Sequence, residues 1–150
     1  MSFKEGKIFF HYLVPPFYFP HRGKKKQFIK KVFTEHRKRV DTVNFVFCSD
    51  SYLLALNKKY LKHHYHTDIV TFDLSDDDKV VADVFISVDR ALGNAKSYRV
   101  PFSSELLRLL IHGALHLCGF NDKTPRQFNQ MKKLEEEFLR RFTWNENLKL

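Results

Sequence analysis

Long apolar runs and paired cysteines are both missing from this 150-residue chain. No apolar stretch approaches the roughly 18 to 20 residues that a membrane-spanning helix needs. The two cysteines, Cys48 and Cys118, lie in unrelated contexts without CxxC spacing, which excludes a disulfide framework and a cysteine-type zinc site. Repeats, low-complexity tracts and an interdomain linker are also absent, so residues 1–150 are predicted to form a single domain.

The N-terminal segment lacks the features of a signal peptide. Its apolar part is interrupted by His11, Pro15 and Pro16, it carries Glu5, and no small-residue cleavage site follows. Together with the few cysteines, this pattern favours a mature protein of the cytosol.

Negative charge is scarce, and positive charge is concentrated. The chain has 26 lysines and arginines against 17 acidic residues, a net charge of +9. Between Arg22 and Arg39, nine basic residues stand against Glu35 alone, which gives this basic segment +8. Such a concentration favours polyanions, although a solvated helix face is the alternative. Polyanion binding becomes the better interpretation if a catalytic site needs such a substrate.

The apolar pattern predicts an α+β fold, with a small mixed sheet of about four strands covered by helices. The two strands that flank the acidic turn "SDDDK" are expected to pair as a hairpin. Ser49 or Asp50, Ser103 or Ser104, and Thr124 are predicted helix caps, with Pro125 at the start of the last helix. Strands are predicted at residues 7–13, 42–48, 68–74 and 80–88, and helices at 25–39, 50–60, 89–98, 105–117 and from 125 onward.

A candidate metal site lies in "IHGALHLCGFNDK", residues 111–123, on the predicted long helix. His112 and His116 are four apart, so both imidazoles can point at one ion. Gly119 is expected to end the helix, and in HExxHxxGxxH zinc proteases such a glycine lets the residue six beyond the second histidine return to the metal. That residue here is Asp122, and carboxylates are accepted zinc ligands. Three protein ligands leave a position for water, and Cys118 is excluded because it points elsewhere.

The residue after His112 argues against peptide hydrolysis. A zinc peptidase needs a glutamate there as general base, and this chain has Gly113. A reaction in which the ion supplies more of the chemistry, such as phosphodiester cleavage, is therefore favoured. The basic segment would then hold a polyanionic substrate.

The same residues resemble the HGxLHLxGYDH motif of the YbeY family of metal-dependent endoribonucleases. His112, Gly113, Leu115, His116, Leu117 and Gly119 match the motif, and Phe120 stands for its tyrosine. Upstream, "LNKKY", "TDIVTFDLS" and "ADVFISVDRALGNA" are similar to further family segments, and Met131 falls where the family also carries methionine. The likeness runs in order over residues 56–131.

The resemblance implies a small α+β metal-dependent hydrolase domain with one Zn²⁺ per chain, held by His112, His116 and Asp122. It implies catalysis through a metal-bound water and cleavage of single-stranded RNA. The implied role is maturation of the 16S ribosomal RNA 3′ end and ribosome quality control in the cytoplasm, with the small ribosomal subunit as partner.

Two positions depart from the family pattern. The third ligand of the family is a histidine, where this chain has Asp122. The family often has an arginine directly after the tyrosine of the "LN…Y" segment, where this chain has Leu61. Lys62 or the histidines of "HHYH" are possible substitutes. The Leu61 departure favours an alternative function, a ribosome-associated RNA-binding factor with a metal site but little cleavage; a small zinc peptidase is the third candidate.

The remaining polar clusters are predicted to have structural roles and no part in a functional site. His63, His64 and His66 are expected to be solvated loop residues rather than a second metal site. Residues 132–137 of the last helix are predicted to form a solvated, charge-paired face. Asp68 and Asp83 are expected to cap or brace the backbone and are left outside the site.

Overall fold

The structure is a computed structural model, and it describes residues 6–61 and 67–146, with the side chains of 144–146 left aside. Within these residues the chain forms four strands and five helices. Their order is β1 (Lys7–Tyr12), α1 (Arg22–Glu35), β2 (Arg39–Cys48), α2 (Asp50–Tyr60), β3 (Ile69–Asp73), β4 (Lys79–Ser87), α3 (Val88–Tyr98), α4 (Phe102–Leu117) and α5 (Pro125–Glu146).

The four strands form one mixed sheet in the order β1-β2-β4-β3. β1 and β4 each pair with β2 in parallel, while β3 pairs antiparallel with β4. In that hairpin Ile69 lies opposite Ile86 and Asp73 opposite Ala82. The predicted α+β class, the mixed sheet and the hairpin are confirmed.

Alternation along the central strands directs one set of apolar side chains toward the helices. Val43, Phe45 and Phe47 of β2 are fully buried, as are Val84 and Ile86 of β4, because alternate residues of a strand face the same side of the sheet. These residues join the main core together with side chains of α1, α4 and α5. The core therefore lies between the sheet and these helices.

The central helix α4 contacts α1, α3, α5 and strands β3 and β4. Ten of its sixteen residues are buried, which leaves one narrow polar face. Gly113 lies on the face packed against the sheet, where an added Cβ would come within 3.0 Å of Val84 Cγ1 and 3.3 Å of Ile69 Cδ1. Only a glycine lets the helix lie this close to β3 and β4 without displacing them.

Two helix ends differ from their predictions. α1 ends at Glu35 rather than at Arg39, because Arg37 adopts the left-handed conformation (φ 58°) and the chain then enters β2. The predicted serine cap of α4 is wrong. Pro101 occupies the N-cap position, and its carbonyl oxygen accepts the N–H groups of both Ser104 and Glu105.

The other predicted caps are confirmed. The Ser49 hydroxyl accepts the N–H of Tyr52 at the start of α2. The Thr124 hydroxyl accepts the N–H of Gln127, and Gln127 in turn accepts the N–H of Thr124, a capping box at the start of α5.

Among residues 6–61 and 67–146, no helix has both the length and the apolar character needed to cross a lipid bilayer.

Candidate metal centre

His112 and His116 lie one turn apart near the end of α4, and both rings face Asp122. Oδ2 of Asp122 is 3.3 Å from Nε2 of His112 and 3.5 Å from Nε2 of His116. The imidazole ring centroids are 4.6 Å apart. All three side chains are partly exposed, so solvent can reach their ligand atoms. The structure therefore brings together the three residues that were predicted as ligands. Their binding of an ion stays a prediction.

The chain returns to the histidines because α4 ends in a Schellman motif. The N–H of Gly119 donates to the carbonyl of His116 at 3.0 Å, and the N–H of Phe120 donates to the carbonyl of Leu115 at 3.0 Å. Gly119 has φ 101°, in the region that side chains with a Cβ disfavour. The predicted role of Gly119 as the end of the helix is confirmed, and the turn aims Asp122 back at the histidines.

The donor set fits a zinc ion. Tetrahedral zinc with bonds of about 2.0–2.2 Å separates its ligand atoms by roughly 3.3–3.5 Å. The two nitrogen–oxygen distances, 3.3 and 3.5 Å, lie in this range, and all three ligand atoms lie within 4.8 Å of one another. Two imidazoles and one carboxylate are also a donor set that zinc accepts, with a fourth position open.

Glu135 of α5 holds His112 from the side opposite Asp122. The Glu135 carboxylate accepts a hydrogen bond from Nδ1 of His112 at 2.6 Å, and Glu135 is only 3% exposed. With the proton on Nδ1, the lone pair of the ring lies on Nε2, the atom that faces Asp122. The prediction of a solvated face at residues 132–137 is wrong for Glu135, which points into the protein.

Arg108 connects this carboxylate to a second one on its own helix. It donates two hydrogen bonds of 2.7 Å to Glu105, through Nε and one terminal nitrogen, and one of 2.7 Å to Glu135. Glu105 is 1% exposed and also accepts a hydrogen bond from Asn94 at 3.0 Å. The same Asn94 amide donates to Asp68 at 3.1 Å. A hydrogen-bonded network thus surrounds the inner side of the candidate site.

The environment sets the charge of two of these groups. Burial lowers the pKa of His116, and the charge of His112 lowers it further, against the opposite effect of Asp122. His116 is therefore neutral at neutral pH, the form in which histidine binds metals. Burial alone disfavours the charge of Arg108, but the hydrogen bonds and charges of Glu105 and Glu135 outweigh it and raise the pKa above the ordinary value.

The candidate site opens into a cavity of about 1050 Å³. Its described wall contains three cationic residues, Arg108, Lys123 and Lys132. Six acidic residues line the same wall, so the cavity carries more negative than positive charge although the chain is +9. These acids are Asp68, Asp73, Glu105, Asp122, Glu135 and Glu136.

Gly113 gives the peptidase alternative no support. Its α-carbon faces Val84 and Ile69 of the sheet, so a longer side chain at this position would collide with the core instead of reaching the cavity. Cys118 does not belong to the group of possible ligands that the described residues form, His112, His116 and Asp122. Burial raises the pKa of its thiol to about 11.

Of the other residues that the sequence analysis named, some line the cavity and some lie outside it. Leu61, Asp68 and Met131 all line the cavity, although Asp68 was left outside the site. Asp83 instead accepts a hydrogen bond from Asn44 on the neighbouring strand. Lys62, His63, His64 and His66 lie outside the described residues.

The basic segment does not reach the cavity. No residue between Arg22 and Arg39 belongs to its described wall. Lys24 and Lys31 are exposed on α1, while Lys25 is buried. Any attraction of this segment for a polyanion therefore acts from another part of the surface.

Sequence reasoning missed Glu135 and Arg108. Glu105, Arg108 and His112 are spaced by three and four residues, so their common helix face was a usable signal. Glu135 gave no such signal in the sequence, because it follows His112 by 23 positions. Only the packing of α5 against α4 brings its carboxylate to the His112 ring.

The chain is also similar to known proteins along most of its length. The family model described as Endoribonuclease YbeY matches residues 21–143. A Phocaeicola vulgatus protein named Endoribonuclease YbeY is 44% identical over 119 residues, covering 77% of this chain and 86% of the relative. A Flavobacterium psychrophilum protein of the same name is 39% identical over 119 residues, covering 79% and 85%. The solution structure of a Thermotoga maritima protein superposes with a TM-score of 0.60 at 25% identity, covering 93% of each chain.

Proposed function

The chain belongs to the YbeY family of endoribonucleases, and from this premise we propose that it is a metal-dependent hydrolase that cleaves phosphodiester bonds in single-stranded RNA. Residues 1–150 act as one such domain. The observation that carries the proposal is the convergence of His112, His116 and Asp122 on one wall of an open cavity. The relatives' name supplies the reaction, and the donor set supports the metal.

We assign one Zn²⁺ per chain to His112, His116 and Asp122. Zinc, when bound, polarises a phosphoryl oxygen and lowers the pKa of water in its coordination shell. Glu135 keeps the proton of His112 on Nδ1, so that Nε2 remains a donor. Arg108 donates hydrogen bonds to both Glu135 and Glu105, partly offsets their negative charge and holds them in place.

The proposed substrate is 16S ribosomal RNA, with maturation of its 3′ end and ribosome quality control in the cytoplasm as the biological role. This assignment rests on the family resemblance. The +8 basic segment supports it, because a remote cationic surface suits a long RNA bound to the small ribosomal subunit.

The test combines metal analysis of the purified protein with a cleavage assay on single-stranded RNA. We expect about one zinc per chain, and loss of cleavage in His116→Ala and Asp122→Ala. Asp83→Ala is the matched control, since this carboxylate bonds to Asn44 and does not line the cavity. Wild-type protein without zinc would contradict the metal assignment.

A second candidate function is favoured by Leu61. This residue lines the cavity and is 40% exposed. By its resemblance to the YbeY motif, the sequence has Leu61 where the family pattern often has an arginine. Without that cation the protein would act as an RNA-binding factor with little cleavage of its own. Zinc and RNA binding without metal-dependent cleavage would support this candidate, whereas turnover of casein would revive the peptidase.

A further inference from the structure

Exposed apolar side chains are concentrated at the cavity. Among the described residues, eleven large hydrophobic side chains are exposed, and four of them line this cavity. Tyr98 is 59% exposed and Phe128 55%, while Leu61 and Val100 are 40% and 38% exposed. Water-exposed apolar groups that gather around a polar site mark a surface that another molecule covers.

Tyr98 and Phe128 come from different helices. Tyr98 is the last residue of α3, and Phe128 lies in the first turn of α5. Both helices contact α4, which carries His112 and His116. The two rings therefore enter the cavity of the candidate metal site from separate elements.

Tyr98 and Phe128 differ from Tyr52 and Tyr60 in their ring contacts. Within the described part of the chain, neither Tyr98 nor Phe128 makes a contact with another aromatic ring. Two other exposed tyrosines behave differently, because Tyr52 stacks on Phe85 and Tyr60 packs edge-on against Phe72. Among the described residues no aromatic ring stacks on Tyr98 or Phe128, so a planar ligand can stack on them.

The charge of the cavity indicates which ligand group these rings receive. Lys123 and Lys132 can meet phosphates, but six acidic residues line the same wall, and the basic segment lies elsewhere. The side chains of the cavity therefore attract phosphates weakly, and the main cation for a phosphate is the Zn²⁺ assigned to His112, His116 and Asp122. Contacts with the bases supply what the charges do not, since every nucleobase presents a π-face to an aromatic ring.

We propose that Tyr98 and Phe128 form a stacking subsite for unpaired nucleobases next to the phosphodiester that is cleaved. The proposal rests on the proposed endoribonuclease function and deepens it. In a duplex the base faces are already stacked on one another, so this subsite selects single-stranded RNA. Lys123 and Lys132 contact the phosphates that flank the stacked bases.

The test measures binding of a fluorescent, unstructured RNA oligonucleotide with a cleavage-resistant phosphorothioate backbone to the zinc-loaded protein by fluorescence anisotropy. Tyr98→Ala and Phe128→Ala should each raise Kd about tenfold, the size of one lost base stack. Tyr98→Phe and Phe128→Tyr keep a ring and should bind as the parent does. Tyr18→Ala is the matched control, because Tyr18 is 85% exposed and does not line the cavity.

Two further oligonucleotides examine the stacking itself. An abasic oligonucleotide should bind the parent and the alanine variants equally, and a duplex should bind them equally as well. Alanine variants that bind single strands as tightly as Tyr18→Ala would overturn the subsite while leaving the proposed function intact. A parent protein that neither binds nor cleaves RNA would instead overturn the proposed function, and the subsite with it.

Sedimentation velocity separates RNA from a protein partner. If the parent sediments as a dimer and the alanine variants as monomers, with unchanged RNA affinity, the rings form a protein interface and the proposal is overturned. A parent that sediments as the variants do supports the RNA subsite.

Discussion

Arg108 and Lys25 are cations withdrawn from water in two regions of the same molecule, and their surroundings are opposite. Arg108, beside the cavity, donates to the buried carboxylates of Glu105 and Glu135. Lys25, on α1, is fully buried, and its ammonium lies 4.1 Å from the centroid of the Phe19 ring. Within the described residues its Nζ has no hydrogen-bond partner.

The pKa values of the two groups move in opposite directions. The carboxylates raise the pKa of Arg108 against the effect of burial, whereas burial lowers the pKa of Lys25 to about 8. A buried charge is stable when hydrogen-bonded partners replace water, and an aromatic ring replaces water only in part. Beside the candidate site, the charge of Arg108 is stabilised by two hydrogen-bonded carboxylates. In the core beneath α1, the charge of Lys25 is stabilised only in part, by an aromatic ring.

The largest expected effect comes from Arg108→Met. This change leaves Glu105 and Glu135 buried without their cation, so we expect the free energy of unfolding to fall by about 3 kcal/mol. Urea denaturation would measure it, with Lys133→Met on the exposed side of α5 as the control. An unchanged stability would contradict the prediction, because it would mean that Glu105 and Glu135 do not need the charge of Arg108.

The matching substitution at Lys25 should have the opposite sign. Lys25→Met replaces a buried amine that has no hydrogen-bond partner among the described residues by an apolar group of similar length, and we expect stabilisation of about 2 kcal/mol at pH 7. If Lys25→Met destabilised the fold as Arg108→Met does, the proposed difference between the two buried cations would be wrong.

A pH series sharpens the Lys25 result. The unfolded chain keeps the ordinary lysine pKa of 10.5, and the folded chain has a pKa of about 8. Between these values the unfolded chain holds a proton that the folded chain has lost, so the stability contributed by this group rises with pH. The advantage of Lys25→Met should therefore shrink from pH 8 and approach zero near pH 10.5. Denaturation of parent and variant at matched pH values would show it, and a constant difference would refute it.

A smaller effect, on metal binding, is expected from Glu135→Ala. Loss of the hydrogen bond to His112 should weaken zinc binding about 10- to 100-fold. Competition with a chromophoric chelator gives the affinity, and ¹⁵N chemical shifts of the His112 ring in metal-free protein report the tautomer. Glu137→Ala is the control, because Glu137 is exposed on the same helix and does not line the cavity. Equal zinc affinities would show that the carboxylate does not position His112.

The smallest effect on stability should come from an exposed cation. Lys31 is exposed on the same helix as Lys25, so Lys31→Ala should change the free energy of unfolding by less than about 0.5 kcal/mol. If the basic segment contacts RNA, the same variant should reduce the salt dependence of RNA affinity by about one phosphate contact. A large loss of stability in Lys31→Ala would contradict this prediction, because it would show that the Lys31 side chain stabilises the fold as a buried group does.

Local patterns account for the parts of the fold and site that were predicted. The content of β-branched and aromatic residues placed the strands, and the antiparallel hairpin followed from two strands joined by an acidic turn. The end of α1 was not predictable in the same way, because Arg37 takes a left-handed conformation that glycine would normally signal. The serine cap of α4 failed because Pro101 provides the cap through its backbone.

The sequence by itself determined the approach of His112, His116 and Asp122. Their positions depend on helical periodicity and on one glycine turn, which are interactions over a few residues. Only the tertiary structure decided that Glu135 holds His112 and that the basic segment lies away from the cavity. It also decided that Gly113 packs on the sheet and that Lys25 is buried. These outcomes depend on how helices pack against the sheet and each other, a long-range property that no local spacing encodes.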